Sequence, residues 1–187
     1  MIHKCVWIFA GVCGSGKTSL GQYFARCRER SIVFLEGDSY HSIQNKQKMA
    51  SGQPLDDQDR IPWLQSLKTA AADSLQDHDE VVIACSALKR SYRDIFRQLN
   101  SDTVQVRFVL LNGSFSVLRA RLESRSDHFM NPGLLSSQLE TLELPTSNQE
   151  MDLKVISVDD HSLESLYSLI QSWSFENAPN EACCILD

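Results

Sequence analysis

The 187-residue chain carries a net charge of −6, and apolar residues make up 42% of it. The acidic balance argues against a nucleic-acid surface, which would be basic, and no apolar run is long enough to cross a membrane. We therefore expect one soluble domain over residues 1–174, followed by a flexible tail over residues 175–187. Six cysteines lack metal-ligand spacing and indicate the reduced thiols of a cytoplasmic protein.

Strand and helix patterns alternate along the whole chain. Five short apolar runs, rich in β-branched residues, predict buried parallel strands at 4–10, 31–36, 81–85, 104–111 and 154–158. Helical patterns occur at 18–29, 41–51, 60–77, 90–99, 115–124, 133–140 and 162–173. The alternation predicts an α/β fold with three α/β/α layers, in which helices cover both faces of a central five-stranded parallel sheet. Ligands of such sheets bind beyond the carboxyl ends of the strands.

The loop between the first strand and the first helix has a phosphate-binding pattern. Residues 11–18 read GVCGSGKT and fit G-x-x-x-x-G-K-[ST] at every fixed position. The pattern is typical of P-loop NTPases, in which Lys17 would reach the β- and γ-phosphates of ATP and the Thr18 hydroxyl would ligate Mg²⁺. The predicted nucleotide-binding residues are Gly11, Val12, Cys13, Gly14, Ser15, Gly16, Lys17, Thr18 and Ser19.

The second strand leads directly into a polar segment, residues 37–41, at the same edge of the sheet. Asp38 would orient an acceptor hydroxyl, accept its proton or hold a water on Mg²⁺, and it could also cap the following helix. His41 is as consistent with a substrate contact as with an ordinary histidine at the start of a helix.

Three aspartates precede an arginine between the second and third strands. Asp56, Asp57 and Asp59 suit the N-terminus of a helix that begins near Pro62. We expect Arg60 to bind a substrate carboxylate, because its planar guanidinium can contact both oxygens of the acid group. A salt bridge from Arg60 to a neighbouring aspartate is the alternative.

Polar and basic residues also follow the third and fourth strands. Ser86, Lys89 and Arg93 suit an anionic ligand, although the basic side chains could equally form a solvated helix face. Arg121 and Arg125 are four residues apart and share one face of a helix. We expect them in a helical lid over about residues 115–135, which closes on ATP and stabilises the transferred charge; exposed salt bridges are the alternative.

Taken together, these segments resemble the gluconokinases, small P-loop kinases that phosphorylate D-gluconate. The resemblance rests on GVCGSGKT at 11–18, GDSYH at 37–41, KMASGQPLDDQDRIPW at 48–63, ACSALKRSYRD at 84–94, HFM at 128–130 and SQLETLE at 137–143. It implies transfer of phosphate from ATP to the gluconate 6-hydroxyl, a sheet like that of nucleoside monophosphate kinases, a mobile lid and often a homodimer. It also implies catalytic roles for Lys17, Asp38, Arg121 and Arg125, and a substrate contact for Arg60.

The chain departs from the family pattern at four positions. Cys13 replaces a serine, Ser42 a proline, Asp127 a glycine and Leu139 a phenylalanine. Asp127 adds negative charge and removes flexibility at the expected lid hinge. Two other functions stay open at this point: a related kinase for shikimate or another sugar acid, and an ATP-binding module without catalysis.

Overall fold

The computed structural model describes residues 4–124, 133–146 and 149–176. Within them, five parallel strands form one sheet: β1 (Lys4–Gly11), β2 (Ile32–Glu36), β3 (Glu80–Ala84), β4 (Val104–Asn112) and β5 (Leu153–Ser157). Their order across the sheet is β2–β3–β1–β4–β5. The five predicted strands are confirmed, and each end lies within one residue of its expected position.

The described residues also form seven α-helices. They are α1 (Lys17–Arg26), α2 (Ile43–Ala50), α3 (Asp57–Ser74), α4 (Arg90–Arg97), α5 (Phe115–Glu123), α6 (Gly133–Thr141) and α7 (Leu163–Glu176). The final helix extends two residues into the predicted tail, whose remainder, 177–187, lies outside the described residues. None of the described helices is long and apolar enough to cross a membrane.

Helix α3 begins earlier than the expected start near Pro62. Its cap is Asp56, whose carboxylate accepts a hydrogen bond from the Asp59 backbone N–H at 2.9 Å. The Asp59 carboxylate in turn accepts one from the Asp56 N–H at 3.2 Å, which completes a reciprocal capping box. The aspartates therefore cap the helix as predicted, but Pro62 lies inside it.

The sheet is buried on both faces, which explains why its strands are continuously apolar. On one face, Ile8 of the central strand β1 belongs to a cluster with Leu64 of α3 and Phe96 of α4. On the other face, Phe9 belongs to a cluster with Phe24 of α1 and Ile170 of α7. The two clusters confirm the expected three-layer α/β/α fold.

A third apolar cluster lies at the carboxyl edge of the sheet. It joins Val12 of the loop after β1 to Leu118 and Leu122 of α5 and to Leu135 of α6. This packing fixes two helices of the later half of the chain against the loop that the sequence predicts to bind phosphate.

Candidate functional site

The loop between β1 and α1 has a backbone that only glycine adopts readily. Gly14 and Gly16 have φ angles of +78° and +92°, in the left-handed region. Gly14 is also in close contact with α5, where a Cβ atom would lie 2.8 Å from the Leu118 carbonyl oxygen. The glycines of the motif therefore hold a tight turn that ends at the N-terminus of α1.

Four backbone N–H groups of this loop are available to a ligand. Within the described residues, those of Gly14, Gly16, Lys17 and Thr18 form no hydrogen bond, whereas the Ser15 N–H donates to the Val12 carbonyl at 3.3 Å. The N-terminus of a helix carries a partial positive charge, which attracts anions. The loop thus has the donors and the dipole that a phosphate group requires.

Lys17 lies deep in this loop. Its Nζ donates to the Val12 carbonyl at 2.9 Å. Burial lowers the pKa of Lys17, and the charge of nearby Asp38 opposes that shift. The ammonium group therefore lies against the backbone of the loop that the sequence predicts to bind phosphate.

Glu36 is a candidate site residue that the sequence analysis missed. It is the last residue of β2, and its carboxylate accepts a hydrogen bond from the Thr18 hydroxyl at 2.7 Å. Burial raises the pKa of Glu36, although the hydrogen bond from Thr18 opposes this shift. A hydroxyl next to a carboxylate suits Mg²⁺, which prefers oxygen ligands and retains waters and phosphate oxygens. An acidic residue at the carboxyl end of a buried strand was the signal that could have identified it.

No cluster of three or more histidine, cysteine or acidic side chains within the described residues could hold a metal ion by itself. Any Mg²⁺ at Thr18 and Glu36 would therefore depend on the oxygens of a bound nucleotide, as is usual for this ion.

Asp38 and His41 follow the end of β2, and His41 packs against a tryptophan of α3. Asp38 belongs to a 3₁₀ turn, Gly37–Tyr40, and its side chain is 74% exposed, with Oδ1 3.9 Å from His41 Nε2. The capping alternative is not supported, because Ser42 caps α2. His41 stacks on Trp63 with ring centroids 4.0 Å apart. Burial lowers the pKa of His41 to about 4, so its imidazole is neutral at pH 7.

Arg60 is buried without a carboxylate partner among the described residues. It is 8% exposed, and its Nη1 lies 3.5 Å from the hydroxyl of Tyr92. The neighbouring aspartates are engaged elsewhere, since Asp57 bonds to Lys89 at 2.7 Å and Asp59 to Lys48 at 2.7 Å. The alternative of a structural salt bridge for Arg60 is therefore not supported, and its guanidinium is available to an external acid.

One cleft of about 200 Å³ brings many of the candidate residues together at the carboxyl ends of β1, β2 and β3. This is where ligands of parallel sheets bind. The predicted site residues that line it are Cys13, Gly14, Gly16, Lys17, Thr18, Asp38, His41, Arg60 and Ser86. Glu36, Trp63 and Gln138 line it as well, and none of these three was predicted. The predicted residues Gly11, Val12, Ser15 and Ser19 are not among the lining residues, although they belong to the same loop or helix start.

Lys89 and Arg93 do not line this cleft. Lys89 contacts a shallow depression next to it, which Arg60 also borders. Arg93 is fully buried and bonds to Glu150 at 2.6 and 2.8 Å. Its remaining donors contact the carbonyls of residues 87, 88 and 143, so that all five N–H groups of the guanidinium are used.

The prediction that Arg93 contacts substrate is therefore not supported by its position. Its partners give it a structural role instead, because it fixes the turn after β3. Within that turn Ala87 has a φ of +37°, a conformation that surrounding contacts must maintain.

Of the two arginines expected in a lid, one lies within the described residues. Arg121 donates to the Val158 carbonyl at 2.7 Å. A Cβ atom on Gly16 would lie 4.0 Å from its Nη1, so the guanidinium is next to the phosphate-binding loop. Arg125, Asp127 and the HFM segment lie outside the described residues.

The chain is similar to several known proteins in sequence and in structure. The AAA domain family matches residues 6–145. A probable gluconokinase of Dictyostelium discoideum is 43% identical over 152 residues, covering 79% of this chain and 74% of that protein. The thermoresistant gluconokinase of Escherichia coli (strain K12) is 40% identical over 154 residues, covering 82% of this chain and 85% of that protein. The crystal structure of a gluconokinase from Sinorhizobium meliloti 1021 superposes with a TM-score of 0.71 at 37% identity, covering 94% of this chain and 98% of that one.

Proposed function

Because this chain belongs to the gluconokinase family, we propose that its cleft is the site at which ATP phosphorylates D-gluconate. One observation carries the assignment to this site. The same cleft is lined by a phosphate-binding loop and by Arg60, a buried arginine that has no carboxylate partner among the described residues. The loop accounts for the nucleotide, and the arginine accounts for an acceptor that carries an acid group.

The triphosphate would bind to the free N–H groups at the start of α1. Lys17 would exchange its bond to the Val12 carbonyl for the β- and γ-phosphates. Thr18 and Glu36 provide the adjacent oxygen donors that fit Mg²⁺, which would neutralise part of the phosphate charge. Arg121, next to Gly16, and Arg125 would stabilise the negative charge of the group in transfer.

Gluconate would bind in the other part of the cleft, with its carboxylate on Arg60. Ser86 and the neutral imidazole of His41 offer hydrogen-bonding groups to its hydroxyls. Lys89 borders the adjoining depression together with Arg60, and it would have to exchange its partner Asp57 to contact the substrate. Asp38 would orient the 6-hydroxyl and accept its proton as the oxygen attacks the γ-phosphorus. The bond from that phosphorus to the β-phosphate oxygen breaks, and the products are 6-phosphogluconate and ADP.

The experiment that tests this function measures ADP release from Mg-ATP with D-gluconate, shikimate, glucuronate or no acceptor. An Asp38→Asn variant is compared with Asp73→Asn, which changes an exposed aspartate at the far end of α3. We expect turnover that depends on gluconate and collapses only in Asp38→Asn. Nucleotide binding without turnover on any acceptor would contradict the proposal and favour a module that only binds ATP.

Two further predictions concern the setting of the enzyme. We infer a cytoplasmic location, supported by Cys5, Cys13, Cys27 and Cys85, none of which forms a disulfide within the described residues. A homodimer is implied by resemblance, and light scattering coupled to size-exclusion chromatography would test it.

A further inference from the structure

Gln138 of α6 contacts the phosphate-binding loop across 125 positions of sequence. Its Oε1 accepts a hydrogen bond from the backbone N–H of Cys13 at 2.7 Å. A backbone N–H can only donate, so the oxygen of the side-chain amide must face the loop. The NH₂ group of the same amide is therefore turned away from Cys13, and its orientation is fixed by this one bond.

The NH₂ group of Gln138 has no hydrogen-bond partner within the described residues, and the side chain lines the same cleft as Lys17 and Asp38. Its two N–H donors are therefore open to a ligand. The proposed function assigns the β- and γ-phosphates to Lys17 and the attacking hydroxyl to Asp38, and both residues share this cleft with Gln138. The γ-phosphate, which lies between these two groups in the reaction, is therefore the anion that the donors of Gln138 would meet.

Packing holds α6 in place for such a contact. Leu135 is buried in the cluster that contains Val12 and Leu122, and Leu139 packs against it. Residues 135, 138 and 139 are spaced three and four apart, so they share the helix face that meets the loop. The amide is thus supported by a rigid element, as a group that positions a reacting atom must be.

The contact to Cys13 does not compete with phosphate for the loop. The N–H groups of Gly14, Gly16, Lys17 and Thr18 stay without partners in the described part of the chain while Cys13 is engaged. The bond from Cys13 to Gln138 can therefore persist when a triphosphate is bound.

We propose that Gln138 is a further catalytic residue, whose carbonyl stays on the Cys13 N–H while its NH₂ group donates to an oxygen of the γ-phosphate. The inference rests on the proposed binding of ATP at residues 11–18. ADP lacks the γ-phosphate, so the contact should distinguish ATP from ADP.

Two substitutions separate the roles of the amide. Gln138→Met keeps the approximate volume and removes both the acceptor and the donors. Gln138→Glu keeps an acceptor for the Cys13 N–H and places a negative oxygen where the donors were. Ser136→Ala, an exposed change on the same helix, is the matched control.

The measurements are kcat for gluconate phosphorylation and the dissociation constants of ADP and of a non-hydrolysable ATP analogue. Loss of a hydrogen bond to a charged group predicts a fall in kcat or in analogue affinity of about 10- to 100-fold in Gln138→Met. Gln138→Glu should lose at least as much through like-charge repulsion, whereas ADP affinity and the control stay at the wild-type level.

Wild-type kcat and analogue affinity in Gln138→Met would overturn the proposal. So would tighter analogue binding, which would mark Gln138 as a competitor for the loop, or an equal loss of ADP affinity, which would mark it as a support of the loop alone. If the wild-type protein binds ATP but does not phosphorylate gluconate, the proposed function fails, while the difference between ADP and analogue affinities still decides the role of Gln138.

Discussion

Substitution of Arg60 by methionine separates a binding role from a structural one. Arg60 is 8% exposed, lines the cleft and pairs with no carboxylate among the described residues. Methionine keeps an unbranched apolar stem that can pack near Tyr92, but it removes the charge and all donors. If the guanidinium binds the gluconate carboxylate, the change should affect substrate binding and leave folding intact.

The expected magnitude follows from the burial and the charge of this side chain. A hydrogen bond to a charged group contributes about 1.5–3 kcal/mol. Since each 1.4 kcal/mol is a factor of ten, the KM for gluconate should rise by about 10- to 150-fold. The unfolding free energy should stay within about 1 kcal/mol of wild type or increase, because the change breaks no ion pair among the described residues and removes a buried charge.

The assay is ADP release at saturating Mg-ATP with varied D-gluconate, and in parallel with D-glucitol, in which a neutral alcohol replaces the carboxylate. Arg60→Met should lose most of the preference for gluconate and leave the kcat/KM for glucitol unchanged. Arg119→Met is the control, since Arg119 is an exposed arginine that pairs with Glu123. An unchanged KM for gluconate together with a loss of more than about 2 kcal/mol of stability would contradict a binding role and make Arg60 structural.

Three further predictions concern stability, pH and metal dependence. Arg93→Met should lower the unfolding free energy by about 3–5 kcal/mol, because Glu150 stays buried and loses a partner. Urea unfolding measures this loss, and a stable variant with a raised KM for gluconate would disprove the structural role. As pH falls from 6.5 to about 4, the protein should lose stability, since the unfolded chain protonates His41 while burial keeps its folded pKa at about 4. His41→Gln should show a smaller loss over that window in pH-dependent unfolding, and an identical slope would contradict the assignment. Glu36→Gln should raise the Mg²⁺ concentration for half-maximal ADP release by about 10- to 100-fold, because the amide can still accept the hydrogen bond from Thr18 but lacks the negative charge that favours the cation. An unchanged Mg²⁺ dependence would remove Glu36 from the metal site.

The parts of the site that come from neighbouring residues could be predicted from the sequence. The loop at 11–18 is one contiguous segment, and the glycines in it have the positive φ angles that such a loop needs. The strands could be predicted equally well, because a sheet that is covered on both faces requires unbroken apolar runs. Asp38 and Arg60 were identified from their positions next to these elements, and the structure places both in the cleft.

Other features required the tertiary structure, because they depend on partners that are distant in the chain. Arg60 and Arg93 are both arginines in polar segments near the sheet edge, and nothing local distinguishes them. They differ because Glu150, 57 residues after Arg93, pairs with the Arg93 guanidinium, which therefore does not line the cleft. Glu36 becomes a candidate site residue only through its hydrogen bond from the Thr18 hydroxyl, which is 18 residues away in the sequence.

The succession of strands and helices along the chain, the phosphate-binding loop and the family could thus be inferred from the residues alone. These depend on apolar periodicity and on backbone conformations, which are properties of short contiguous segments. Only the folded chain shows which charged side chains are paired inside the protein and which remain available to a ligand. That distinction depends on burial and on long-range hydrogen bonds such as the one from Cys13 to Gln138, and these exist only once the chain has folded.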